Sequence, residues 1–227
     1  RVKSYCVRCP VLTTGFFASL GPPSKKIVSC LMVYSRYRKH QILYHEGNPA
    51  DRIYALKSGL VKTYKTDSSG QEQLMGFVKP GEVFNLEHLH NGHCAVTAEV
   101  VADSEACYIG GQQLHATMAG NPPFALEIIK LLSQALALSQ DQIFYFGTKR
   151  AKARLAAFLL GFMPVGAKVA GVTIEIPVTR REIAALLGVT LETISRLFRL
   201  LRDGGVADAD GRQVTIIDPA RLRTLAE

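Results

Sequence analysis

The most restrictive feature of the chain is one segment, VTRREIAALLGVTLETISRLFRLL, at residues 178–201. Thr179 and Glu182 stand three apart ahead of an apolar run, which is the capping-box signature, so a helix begins there. Gly188 ends that helix, and Thr190 caps a second one after a very short turn. Ala184 and Gly188 lie four apart, where a tight crossing of two helices calls for small side chains. Ile183, Leu187, Val189, Ile194 and Leu197 supply the buried face. This is helix-turn-helix spacing. On the second helix Glu192, Ser195 and Arg196 share one exposed face, with Thr190 ahead of them and Arg199 one turn further on. At the start of a helix laid in a major groove, Arg can fork onto guanine O6 and N7. Glu can accept from cytosine N4, and Ser serves several base edges. The rival reading is a solvated face with an i, i+4 Glu–Arg pair, worth a few tenths of a kcal/mol. Capping box, turn glycine, apolar faces and the hairpin that follows favour recognition.

Upstream of this segment the hydrophobic period changes twice. From about Ile27 to Ile109 the chain reads as strands of five to eight residues, separated by turns such as Ser58-Gly59, Asp67-Ser-Ser-Gly70 and Lys79-Pro-Gly81. That pattern predicts an antiparallel barrel or roll. Asn121-Pro122-Pro123 then opens a helix. In it Phe124, Ile128, Leu131, Ala135, Leu138, Gln142 and Tyr145 alternate steps of four and three. The spacing predicts a dimerisation seam through Ile128, Leu131, Leu138 and Tyr145, with Asp141 beside it. A helix buried within a monomer is the alternative. Residues 149–162 read as a further helix, and residues 172–176 as a short strand. Residues 206–209 and 213–217 flank Asp210-Gly211 as a hairpin, and Asp218-Pro219 opens a last helix. The expected architecture is α+β. It comprises an N-terminal segment (1–26), an antiparallel β-roll (27–120), a long dimerisation helix (121–147) and a winged helix-turn-helix (148–227).

Charge and composition narrow the function. The 227 residues carry a net charge of +8, and from Thr148 onward 13 Lys and Arg face 8 Asp and Glu. That surplus points to a polyanion as partner of the C-terminal part. The longest apolar run, residues 155–163, is far too short for a bilayer span. No secretory signal opens the chain, and because Arg1 is not an initiator Met, residues before it are expected. Five cysteines, Cys6, Cys9, Cys30, Cys94 and Cys107, are too sparse for a disulfide-stapled secreted fold. A reducing, cytoplasmic setting follows as the expectation, and it makes Cys6-x-x-Cys9 a metal or redox candidate.

Strands punctuated by Gly59 and Gly81, a long seam helix, Arg154-Leu-Ala-Ala-Phe158 and a winged helix-turn-helix together resemble the CRP/FNR superfamily of bacterial transcription regulators. The resemblance covers nearly the whole chain. Leu191-Glu-Thr-Ile-Ser-Arg196 is similar to the FNR-type branch. It implies a homodimer on double-stranded DNA that reads a TTGAT–ATCAA palindrome through Glu192, Ser195 and Arg196. It also implies RNA polymerase as partner and a sensor in the β-roll, with Asp141 weakening the dimer until an effector is present.

Several effectors remain open at the level of sequence. FNR-type sensors hold a [4Fe–4S] cluster on four cysteines. Cys6, Cys9 and Cys107 match three of those positions, whereas the third position is Gly15. A reversible Cys6–Cys9 disulfide is an alternative, as is plain burial for Cys30 and Cys107. His88-Leu-His90-Asn-Gly-His93-Cys94 offers a metal or haem ligand set, or simply a hydrated loop. Cyclic AMP is disfavoured, because residues 81–97 contain no Arg or Lys to pair with its phosphate. A cupin-like metalloenzyme built on Gly81 and His88-x-His90 is a distant rival. No Walker loop, GxGxxG fingerprint or Ser-His-Asp set supports any other enzyme.

Overall fold

A computed structural model of the chain describes residue 6, residues 8–163 and residues 170–227. The chain forms two units, Arg1–Leu138 and Ser139–Glu227. In the first, two helices precede the strands, α1 (Pro10–Thr13) and α2 (Pro22–Leu31). Both begin on Pro at the first helical position, where the missing N–H leaves no partner unsatisfied. Strands do not start at Ile27: residues 27–31 complete α2, with Val28 buried.

The sheet consists of β1 (Val33–Tyr37), β2 (Ile42–Tyr44), β3 (Arg52–Thr66), β4 (Glu72–Val78), β5 (Val83–Phe84) and β6 (Thr97–Gly110). The order is β1-β6-β3-β4, with β2 also on β6 and β5 also on β3, all antiparallel. A single turn of helix, α3 (His88–Asn91), sits between β5 and β6. After β6 come α4 (Gly111–Gly120) and α5 (Pro122–Thr148). Asn121 starts α5 as expected, its Oδ1 accepting from the Phe124 N–H at 3.1 Å.

The strands are longer than the turn pattern suggested. β3 and β6 run for 15 and 14 residues. Ser58-Gly59 is an irregularity inside β3, where its register against β6 shifts repeatedly between Leu56 and Val61. Gly59 has φ of 90°, and a Cβ there would stand 2.2 Å from Ser104 Oγ and 2.6 Å from Asp103 O. The glycine therefore bends a long ribbon and does not end it.

Alternation along these strands builds two cores. On β3, Ile53 and Ala55 face a cluster shared with Val11, Leu12, Phe17, Phe124 and Ile128, whereas Leu56 and Tyr54 face a second one with Val61, Phe84 and Val100. On β6, Cys107 and Ile109 join the first cluster and Ala106 the second. This is the period-two pattern of strands covered on both faces. Each large side chain so buried contributes about 1.5–3 kcal/mol.

The second unit holds α6 (Ala151–Leu160), β7 (Val172–Glu175), α7 (Arg180–Leu186) and α8 (Leu191–Asp203). These are followed by β8 (Ala207–Asp210), β9 (Gln213–Ile216) and α9 (Pro219–Ala226). Its sheet has the order β7-β9-β8. The hairpin turn is displaced by one residue from expectation. Asp210 pairs with Gln213, so Gly211-Arg212 forms the loop, and Gly211 takes the left-handed conformation at φ of 58°. Asp218 caps α9, its Oδ1 accepting from Arg221 N at 2.9 Å.

Candidate nucleic-acid interface

Local chemistry holds the helix-turn-helix at the start of α7, in the turn and at the start of α8. The Thr179 N–H donates to Glu182 Oε2 at 2.7 Å, and the Glu182 N–H donates to Thr179 Oγ1 at 3.2 Å, so the capping box is complete. Such a cap is worth about 1 kcal/mol. Gly188 has φ of 62°, and nothing lies within 4 Å of where its Cβ would be. Its role is therefore the left-handed turn and not the tight helix crossing that its spacing from Ala184 suggested. Thr190 Oγ1 accepts from the Thr193 N–H at 3.3 Å and starts α8.

Helix α8 divides cleanly into two faces. Ile194, Leu197, Phe198 and Leu201 are buried; Thr190, Glu192, Arg196 and Arg199 are exposed, and Ser195 is half-buried. Among the described residues, no carboxylate lies within 4 Å of Arg196 or Arg199. The i, i+4 pairing of Glu192 with Arg196 is thus not made, and both heads remain available. Glu192's own backbone N–H, then the Thr190 hydroxyl, hold its carboxyl below the usual range, so it is an ionised acceptor. Beside this face lies a groove lined by Arg180, Ser195, Phe198, Arg199, Arg202 and Asp208. The Arg180 guanidinium sits 5.1 Å over the Phe198 ring, which holds it at the groove edge. Sequence reasoning missed Arg180 and Arg202. The Arg-Arg doublet directly after the capping Thr179 was the available signal.

The chain has counterparts among known proteins. A profile described as Crp-like helix-turn-helix domain matches residues 153–225, and one described as cyclic nucleotide-binding domain matches residues 34–121. The transcriptional regulatory protein btr of Bordetella pertussis is 32% identical over 192 residues, spanning 84% of this chain and 79% of that one. The chain belongs to the CRP/FNR family of transcription regulators. The transcriptional activatory protein AadR of Rhodopseudomonas palustris is 28% identical over 220 residues, 96% of this chain and 91% of that one. The solved structure of FixK2 from Bradyrhizobium japonicum superimposes with a TM-score of 0.71 at 31% identity, covering 86% of this chain and 98% of that one. Like other members of the CRP/FNR family, the protein is a DNA-binding transcription regulator and not an enzyme, which overturns the cupin-like reading. Among the described residues no helix is long and apolar enough to cross a membrane.

In this regulator the candidate sensing residues are arranged quite differently from α8. Cys6, Cys9 and Cys107 are all buried in the first apolar cluster. Cys6 and Cys9, expected as a metal or redox pair, are part of the core, because α1 and the turn before it pack on β3. Gly15, at the position of the missing third cysteine, is pressed against the Gly81 turn. The Phe16 N–H donates to Gly81 O at 2.9 Å, and a Cβ on Gly15 would stand 2.1 Å from that oxygen. Among the described residues no three His, Cys, Asp or Glu side chains are placed to hold a metal ion. The donor set does not fit a four-cysteine cluster. Cys30 is exposed, and Cys94 is buried, its thiol pushed up by that burial.

The histidine run does not converge either: His88 is buried, whereas His90 and His93 are exposed. In the second cluster Tyr54 stacks on Phe84 at 5.3 Å, with Tyr44 5.7 Å from Tyr54, so aromatic rings fill this face of the sheet.

Along α5 the seam turns out to face two ways. Ile128 and Leu131 are buried in the first unit's own core beside Phe124, so they are not a free dimer surface. The row left outward is Leu126, Ile129 and Leu136, which are 60%, 52% and 62% exposed. The side chains of Leu138, Asp141 and Tyr145 lie outside the described residues.

Proposed function

We propose that this regulator works as a homodimer on a TTGAT–ATCAA palindrome, with half-site centres about one helical turn, roughly 34 Å, apart. In this reading Glu192, Ser195 and Arg196 read base edges, while Thr190 and Arg199 flank them. Arg180 and Arg202 hold the phosphate backbone along the groove. The observation that carries the reading is the exposed, unpaired state of Arg196 at the capped start of α8. Dimerisation runs through the outward row of α5, where Leu126, Ile129 and Leu136 follow a three- and seven-residue spacing. RNA polymerase is the partner implied by the family. An effector acting on the β-roll unit sets the activity of the dimer.

Binding assays on duplexes with single half-site changes test the base-reading role. Arg196→Ala is expected to lose about 1–3 kcal/mol on the intact palindrome and to relax preference at the contacted guanine. Equal loss on every sequence would assign Arg196 to phosphate and overturn the assignment.

A further inference from the structure

A buried polar atom without a partner costs about 1–3 kcal/mol, so one that persists calls for an explanation, such as an ordered water or an ion. His88 carries such an atom. Its ring is 4% exposed, and Nε2 has no hydrogen-bond partner. The other nitrogen is fixed from behind: Nδ1 lies 2.5 Å from the Asn85 carbonyl oxygen. A carbonyl only accepts, so Nδ1 carries the proton and Nε2 of the neutral ring presents a lone pair. Asn85 is itself locked, in the left-handed region at φ of 62°, with its Nδ2 donating to Arg52 O at 2.9 Å. The lone pair has room in front of it only because residue 111 is Gly, since a Cβ there would stand 2.9 Å from Nε2.

A cleft of about 250 Å³ opens at this point, with Asp51, Gln112 and His115 at its mouth. His115 is one helical turn beyond Gly111 on α4 and so lies on the same side of that helix. Asp51 and His115 are exposed, free to change rotamer. Asp51 pairs with Arg52 at 3.5 Å, an exposed contact of the kind worth about 0–1 kcal/mol, which competes weakly. Two imidazoles and a carboxylate around one cleft are Lewis bases in want of a cation. A histidine whose Nδ1–H is anchored on a backbone carbonyl is the usual form of a pre-oriented metal ligand.

We propose that this cleft binds one divalent transition-metal ion of borderline softness, such as Zn²⁺, Co²⁺ or Ni²⁺. His88 Nε2 is the fixed ligand, and His115 and Asp51 close on the ion from the mouth. As they stand, no three such side chains among the described residues are at ligand distance. The site is therefore an open one, completed by rotation of the two exposed side chains and by water. Metal binding would tie the α3 turn to α4, which Asn121 alone joins to α5.

Titration of the full chain with Co²⁺ under reducing conditions tests this directly. The expected result is one saturable equivalent with visible ligand-field bands and no thiolate charge-transfer band. His115→Ala, an exposed change that leaves the fold intact by circular dichroism, is expected to weaken binding about tenfold or more. His88→Ala is expected to do at least as much, and His90→Ala and His93→Ala to do nothing. Because His88→Ala removes a buried ring and can unfold the unit, His115→Ala decides. No saturable binding would overturn the proposal and leave an ordered water as the partner of Nε2. Binding indifferent to His115→Ala, or a thiolate band lost in Cys6→Ser, would place the metal elsewhere and overturn it equally.

Discussion

The two units of this regulator treat their reactive side chains in opposite ways. On α8, Glu192, Arg196 and Arg199 are held out to solvent, and Arg196 and Arg199 have no carboxylate within 4 Å among the described residues. In the β-roll unit, Cys6, Cys9, Cys107 and His88 are turned inward, among apolar neighbours or against backbone. A surface that must meet a polyanion gains from charges that no internal partner has neutralised. A unit that must change state gains from groups whose surroundings are defined by packing, since a small event there alters many contacts together. Under the proposed function the contrast separates recognition from control, and each expected outcome presses on one side of it.

The largest effect is expected on the outward row of α5. Ile129→Glu or Leu136→Glu introduces a charge on a side chain that is already solvated in the protomer, so the fold should survive. Sedimentation should show monomers, and palindrome binding should fall to the non-specific level. A variant that sediments as a dimer and binds normally would move the interface off this row. The same charge at Leu131 is expected to unfold the first unit instead, because Leu131 belongs to its own core.

Next in size is the docking of the N-terminal segment. Gly15→Cys restores the residue that the FNR-type pattern places there, yet its Cβ would stand 2.1 Å from Gly81 O, a backbone atom that cannot swing aside. Overpacking of this kind typically costs about 1–3 kcal/mol, occasionally more. A lowered thermal midpoint is expected, with no iron–sulfur cluster gained in anaerobic preparations. A stable variant with matching iron and sulfide would show that residues 6–20 can leave the packed arrangement, and it would make control by a cluster the better account. Arg196→Ala follows at about 1–3 kcal/mol of DNA affinity, with no change in unfolding midpoint, because among the described residues its head makes no ion pair or hydrogen bond.

Legibility in the sequence followed the range of the interactions. The helix-turn-helix could be read because capping box, turn glycine and apolar face all act within a dozen residues, and the structure realises each of them. The hairpin slipped by one residue because Asp210-Gly211 and Gly211-Arg212 are both acceptable turns, and only pairing of β8 with β9 chooses between them. Gly59 was read as a turn because its real constraint, contact with Ser104, comes from 45 residues away on β6. The same holds for Gly15 against Gly81, and for Gly111 against His88. Ile128 and Leu131 fitted a heptad seam, but the face of an amphipathic helix does not say whether its own sheet or a second copy will cover it.

The smallest effect concerns an ion-pair network in the first unit. Glu105 accepts from Lys57 Nζ at 2.7 Å and from the Tyr34 hydroxyl at 2.6 Å, and Arg36 Nε donates to that same hydroxyl at 2.8 Å. The hydrogen bond from Lys57, then that from Tyr34, lowers the Glu105 carboxyl from 4.5 to about 2. A carboxylate depressed in the folded state binds its proton more readily once unfolded, so it adds stability above its unfolded value and loses it as the pH falls. The Glu105 contribution is therefore complete above about pH 4.5 and gone below about pH 2. Partial exposure screens it, so the expected signature is a shallow slope in stability over that window. Glu105→Gln keeps the shape, removes the titration and should flatten the slope, leaving DNA affinity at neutral pH unchanged. Glu192 is lowered too, by its own backbone N–H and the Thr190 hydroxyl, but solvent on the exposed face of α8 screens that contribution further, so Glu192→Gln should change base preference and alter the acid slope less than Glu105→Gln does. If both substitutions moved both properties, the separation between an outward recognition surface and an inward control unit would fail.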